Sequence, residues 1–93
     1  MATLKNFQRR AAMSEKHNFQ RVRWHSRRGM LELDLWLVPF ADKHFQALPE
    51  ADQDAYVKLL ETEDQDLLAW RLGHTVPEEA DLVRILNIIK NSQ

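Results

Sequence analysis

The 93-residue chain has no cysteine, only two glycines and only three prolines. Without thiols there is no disulfide, no thiolate metal site and no cysteine nucleophile, and the chain suits a reducing compartment. Gly29 and Gly73 alone cannot build the glycine-rich loops that cradle a dinucleotide or a nucleotide phosphate. No apolar run approaches the roughly 20 residues that a membrane helix needs. The N-terminus lacks the apolar core of a signal peptide. What is present, 44% hydrophobic residues in one short chain, is enough for a single small domain with a thin core.

The net charge of −1 hides a strong asymmetry. Met1 to Met30 carries eight Lys and Arg against Glu15 alone, a net +7, and Leu31 to Gln93 carries five against thirteen acids, a net −8. Such a split favours an electrostatically steered contact with a partner. A solvated basic tail and acidic helix faces would explain it equally well.

Met1 to about His17 has weak patterning and few acids, and is expected to be a mobile extension, residues 1–17, ahead of a helical domain at residues 18–93. A transit peptide shares some of this composition, and Met13 is a second possible start. Asn18 can cap a helix running to about Arg28, with Phe19 and Val22 on one face, Gly29 as its left-handed stop and Arg27 and Arg28 at its negative end. Leu31 to Leu37 alternates like a strand, but Leu31, Leu35 and Val38 also share a helical face. A lone strand has no partner, which decides for a helix, kinked at Pro39 and reaching Leu48.

Pro49 opens a helix to about Thr62 with Ala55, Tyr56, Leu59 and Leu60 as its stripe. Asp64 can cap the next, which buries Leu67, Leu68, Trp70 and Leu72 and stops at Gly73. Thr75 to Glu78 matches a capping box for a last helix presenting Leu82, Ile85, Leu86 and Ile89. The fold class is all-α, one bundle of about five short helices.

Little in this chain reads as catalytic. His17, His25, His44 and His74 include no i, i+4 ligand pair, so no metal site is expected. Acid pairs such as Glu50/Asp54 and Glu78/Asp81 crowd helix starts, where the dipole favours them, and a bundle of this size leaves little room for a pocket. The stretch Arg21 to Arg28 with Trp24 could meet nucleic acid. No helix-turn-helix or RNA-module signature supports that, and the pI near 6.4 is low for it. The remaining feature is Arg28-Gly29-Met30-Leu31-Glu32, where Gly29 allows close backbone approach and Arg28 and Glu32 could pair across a turn. A glycine-stopped helix followed by an acid in the next first turn accounts for the same residues.

The run Arg21-Val22-Arg23-Trp24-His25-Ser26-Arg27-Arg28-Gly29-Met30-Leu31-Glu32-Leu33-Asp34 resembles the signature of the SdhE family, also called YgfY or CptB, whose core is RGxxE. Pro39-Phe40, Leu59-Leu60-Glu61 and Asp64-Gln65-Asp66-Leu67 before Trp70 extend the likeness in register, from about Asn18 to Ile89. The resemblance implies a five-helix, all-α fold and a cytoplasmic, monomeric, non-enzymatic assembly factor. It would bind the flavoprotein subunit of succinate dehydrogenase, and that of fumarate reductase, and promote covalent attachment of FAD there. FAD would belong to the client, with no cofactor held stably by this chain. The motif residues correspond to Arg28, Gly29 and Glu32, and a partner-binding surface is expected from these with Trp24 and Arg27, although core packing would serve Trp24 equally well. Some family members are also described as antitoxin partners of an inner-membrane toxin.

Overall fold

In a computed structural model that describes residues 16–93, Asn18 is the first residue to organise the backbone. Its side chain accepts the Arg21 N–H at 3.1 Å and so starts α1, Phe19–His25. Seven residues cannot hold a helix unaided, and α1 rests on the buried Val22 and on Phe19 packed against the core. The helix stops at His25 with Ser26 as its C-cap, earlier than the sequence suggests. Gly29 does adopt a left-handed conformation, φ +79°, but it shapes the following turn and does not close the helix. Arg27 and Arg28 accordingly lie beyond the last turn, which carries Arg23 and His25.

Helix α2, Leu31–His44, settles the ambiguous segment as helix. Leu33, Trp36, Leu37, Phe40 and Ala41 are buried, at the i, i+3, i+4, i+7, i+8 spacing of one helical face. The face shared by Leu31 and Leu35 is the outer one: they are 71% and 67% exposed. Trp36 and Phe40 decide this, because burying them removes more apolar surface from water than burying two leucines. Pro39 does not end the helix, which runs on to His44 and a 3₁₀ turn at Phe45–Ala47. The carbonyl it leaves unpaired is that of Leu35, and both residues lie on the exposed face, open to water.

Helix α3, Glu50–Leu59, follows Pro49 and buries Ala55, Tyr56 and Leu59 as expected, with Leu60 just beyond it. Helix α4, Asp64–Arg71, is preceded by Glu63 at the N-cap, so Asp64 is its first residue and not its cap. Leu67 is buried and Leu68 and Trp70 partly so, whereas Leu72 is 49% exposed. The helix closes with a Schellman arrangement: His74 N–H bonds Ala69 C=O at 2.9 Å and Gly73 N–H bonds Trp70 C=O at 3.2 Å, with Gly73 at φ +79°. Helix α5, Ala80–Asn91, buries Leu82, Ile85 and Ile89. Its N-cap is Glu79, so the capping box expected from Thr75 to Glu78 does not form. Buried Pro77 holds those residues as an irregular link against the body.

The five helices form an all-α bundle, with no strand among the described residues. Helix α5 packs on α3, while α1 and α4 pack on α2. Tyr56 is the hub: fully buried, it stacks obliquely on Phe40 and Phe45 with centroids 5.4 and 5.5 Å away. Its hydroxyl donates to Ser26 Oγ at 2.7 Å, with Leu37 C=O a weaker second acceptor at 3.3 Å. Burial pushes the phenol well above its ordinary pKa, so it stays a neutral donor. Buried Gln53 donates to Phe45 C=O at 2.9 Å, and no buried side-chain polar atom among the described residues lacks a partner. No described helix is long and apolar enough to cross a membrane.

Residues 1–15, with the expectations for a mobile extension, a transit peptide or a second start at Met13, lie outside the described residues. Lys16 and His17, which the sequence grouped with them, instead pair with Asp54 of α3, His17 Nε2 at 2.7 Å and Lys16 Nζ at 3.1 Å. These bonds hold the Asp54 carboxyl below the usual range, His17 contributing most. Lys58, between Glu79 and Asp81, lowers Asp81 likewise.

Two outcomes follow for stability. Leu33→Ala is expected to cost about 2–5 kcal/mol in urea denaturation and Leu35→Ala no more than about 0.5 kcal/mol; equal losses would contradict the buried face of α2. The depressed carboxyls of Asp54 and Asp81 stabilise the fold fully above about pH 4, and this is lost as pH falls through their lowered values. Both side chains are more than a third exposed, 44% and 37%, so the effect is small. The double variant Asp54→Asn/Asp81→Asn should lose Tm less steeply below about pH 4 than the native chain.

Candidate functional site

The turn from Ser26 to Met30 joins α1 to α2, and its inner side is pinned at three points. Ser26, fully buried, donates from Oγ to Val22 C=O at 2.9 Å while meeting the Tyr56 hydroxyl. Arg28 N–H donates to Asp34 Oδ1 of α2. Met30 packs against the core.

The second pin is extended by the Arg28 side chain, only 16% exposed. Its Nε donates to Asp64 Oδ1 at 2.9 Å, one terminal nitrogen to Leu60 C=O at 2.8 Å and His25 C=O at 3.2 Å, and the other to Thr62 C=O at 2.8 Å. Leu60 and Thr62 follow the last turn of α3, where carbonyls lack helical partners and the dipole is negative. Asp64 opens α4. One guanidinium thereby ties the ends of α1 and α3 and the start of α4 to the turn, in a fork geometry that an ammonium cannot reproduce.

This reverses one expectation. Arg28 does not pair with Glu32; it points inward, and its guanidinium is bonded to acceptors within the chain. Asp64 was read as a helix cap and is instead Arg28's counter-ion. The partnership spans 36 residues, and no local spacing could have signalled it.

On the outer side of the turn the side chains of Trp24, Arg27 and Glu32 make no hydrogen bond or ion pair among the described residues. Gly29 is exposed, and a Cβ built on it would meet nothing within 4 Å. Glycine is thus required by the left-handed backbone and not by crowding within the chain. Glu32, in the first turn of α2, is exposed and makes no side-chain hydrogen bond or ion pair among the described residues. Arg27 is exposed, and Trp24 is 69% exposed, which removes the core-packing alternative for that indole. Of the five expected partner-binding residues, Trp24, Arg27, Gly29 and Glu32 face solvent and Arg28 does not. Leu31 and Leu35 are also exposed, on the same helix as Glu32, and are not among the five expected residues because their spacing signals a shared helical face and not which way that face points.

The arrangement has the makings of a docking surface. No group of three His, Asp or Glu side chains converges for a metal among the described residues. The basic stretch is also less available to nucleic acid than its composition implies, since Arg23 is paired with Asp42 and Arg28 with Asp64.

Comparison with known proteins matches residues 20–93 to the model of a family described as flavinator of succinate dehydrogenase. The chain is 47% identical over 77 residues to the FAD assembly factor SdhE of Pseudomonas putida, covering 83% of this chain and 92% of that one. The same identity and coverage hold for the Pseudomonas aeruginosa protein of that name. The Shewanella oneidensis protein is 46% identical over 72 residues, 77% of this chain and 88% of its own length.

The Arg28 clamp predicts its own energetics. Arg28→Ala is expected to cost about 2–3 kcal/mol, the value of a well-formed set of charge-assisted bonds, with Arg28→Lys recovering less than half. A double-mutant cycle in chemical denaturation should give a coupling of about 1 kcal/mol or more between Arg28 and Asp64 and none between Arg28 and Glu32. Coupling to Glu32 alone would contradict the inward clamp.

Proposed function

The chain belongs to the family of flavinators of succinate dehydrogenase, and we propose that it is an assembly factor that docks on the flavoprotein subunit of succinate dehydrogenase and promotes covalent attachment of FAD to a histidine there. It acts in the cytoplasm, as a monomer, with the fumarate reductase flavoprotein as a second client. The client supplies the flavin site and the histidine; this chain supplies no catalytic group and holds no cofactor of its own. The observation that carries the reading is the outward turn: an exposed glycine with open space before it, beside an exposed acid and an exposed indole, on a backbone clamped from behind.

Each part has a physical role. Clamping by Arg28 means little conformational entropy is lost when the turn meets a partner. Gly29 lets client backbone approach closely. Glu32 accepts hydrogen bonds from client donors, and such bonds to a carboxylate are strong once water is displaced. Arg27 faces a client acid. Trp24 supplies a large, rigid anchor of the kind that dominates binding energy. Binding accelerates attachment only if this surface prefers the client geometry in which flavin and histidine are aligned, because equal affinity for all geometries shifts no population.

The test is in-gel flavin fluorescence of the purified apo-flavoprotein subunit incubated with FAD and this protein. Gly29→Arg and Glu32→Ala together are expected to slow flavinylation at least tenfold. Gly29→Ala separates causes, since it shares the left-handed backbone penalty of about 1–2 kcal/mol without filling the space a client needs. It should flavinylate far better than Gly29→Arg. Unchanged flavinylation by the double variant would remove this turn from the function.

A further inference from the structure

Five of the Lys and Arg residues in the described part of the chain, Lys16, Arg23, Arg28, Lys58 and Arg84, are ion-paired to acids. Lys43, Arg71 and Lys90 are exposed and pair with no acid among the described residues. All three line two adjoining hollows, of about 260 and 360 Å³, beside α2, α4 and α5. No Asp or Glu lines either hollow, although acids outnumber cations in the described residues. The hollows share two residues, Trp36 and Arg71, whose guanidinium carbon stands 5.4 Å from the Trp36 ring centroid. Arg71 is therefore the divide between them. The first hollow is walled by Leu35 and Phe40, the second by Trp70, Leu72 and Val76. Val76 is 77% exposed and Leu72 49%.

Apolar walls with cationic and no acidic side chains call for an occupant that is apolar and anionic. Residues 1–15 do not have that chemistry, because they carry Lys5, Arg9 and Arg10 against Glu15. The apolar groups line recessed hollows, with Trp36 only 4% exposed, which fits inserted side chains better than the flat face of a lipid bilayer. We propose that this double hollow is a second docking site for the client flavoprotein, taking an acidic segment with an apolar side chain in each hollow and a carboxylate between them on Arg71. The inference rests on the proposed function and deepens it. The turn at Gly29 would read the flavin region, while the double hollow would grip a separate acidic segment and add affinity, since linked contacts reinforce one another. Paired with Arg71, such a carboxylate gains a bidentate partner already held against an indole.

The experiment measures the affinity of the apo-flavoprotein subunit for the native chain and for Lys43→Gln/Arg71→Gln/Lys90→Gln by calorimetry, with flavinylation followed in parallel. The triple variant should bind at least tenfold more weakly and lose part of the salt dependence of the native complex. Its flavinylation should return to the native rate at saturating concentration, which variants of the Gly29 turn cannot do. Arg71 packs on Trp36, so Lys43→Gln/Lys90→Gln, which leaves that contact intact, is measured beside it and should lose several-fold in affinity. Native affinity and native salt dependence in both variants would overturn the second site. So would variants that keep full affinity for the flavoprotein while losing binding to phosphatidylserine vesicles, the result expected of a lipid-facing hollow. A native chain that neither binds the flavoprotein nor promotes flavinylation would count against the proposed function itself, and is read before any variant.

Discussion

The Arg28 guanidinium is the constraint on which the arrangement of this small bundle turns. It reaches four acceptors drawn from three segments, the end of α1, the end of α3 and the start of α4. None of those segments holds its position by local structure alone. The link from α3 to α4 is four residues long, Leu60 to Glu63, and would otherwise end in carbonyls with no partner. A guanidinium that is always charged and rigidly forked meets those carbonyls and a carboxylate at once. The turn that Arg28 itself belongs to is thereby fixed in space, so the residues beside it, Gly29 and Glu32, are presented to solvent on a firm base.

That division of labour suits a protein whose work is contact. Each helix is short, between seven and fourteen residues, and none would persist alone. Stability comes from mutual burial around Tyr56, whose ring packs with Phe40 and Phe45 and whose hydroxyl joins α1, through Ser26, to α2, through the Leu37 carbonyl. The core thus spends its few polar groups on registering helices against one another. Trp24, Leu31 and Leu35 are left outside. These exposed large apolar groups lie next to the rigid turn on which the proposed docking rests.

Charge follows the same logic. Most acids sit near helix starts, where the dipole favours them, and many hold a cation from another element: Asp54 with Lys16, Asp81 with Lys58, Asp52 with Arg84. Pairing across elements neutralises much of the bundle. Against that background the unpaired cations around Trp36 form a distinct field, separate from the turn that the family motif identifies.

Local chemistry was sufficient for much of this fold. The five helices, the Asn18 cap, the glycine stop at Gly73 and the apolar faces of α3 and α5 all depend on residues within a few positions of one another, so they are legible in the linear order. The motif at Arg28 to Glu32 was likewise visible, as was the family it resembles. What the linear order left open was direction. Leu31 and Leu35 could face in or out until Trp36 and Phe40 claimed the interior; the Thr75 box failed because Pro77 is held against the body; Arg28 could reach Glu32, four residues on, or Asp64, far along the chain. Those choices are made by burial and by donors seeking buried acceptors, and both exist only once distant segments have come together.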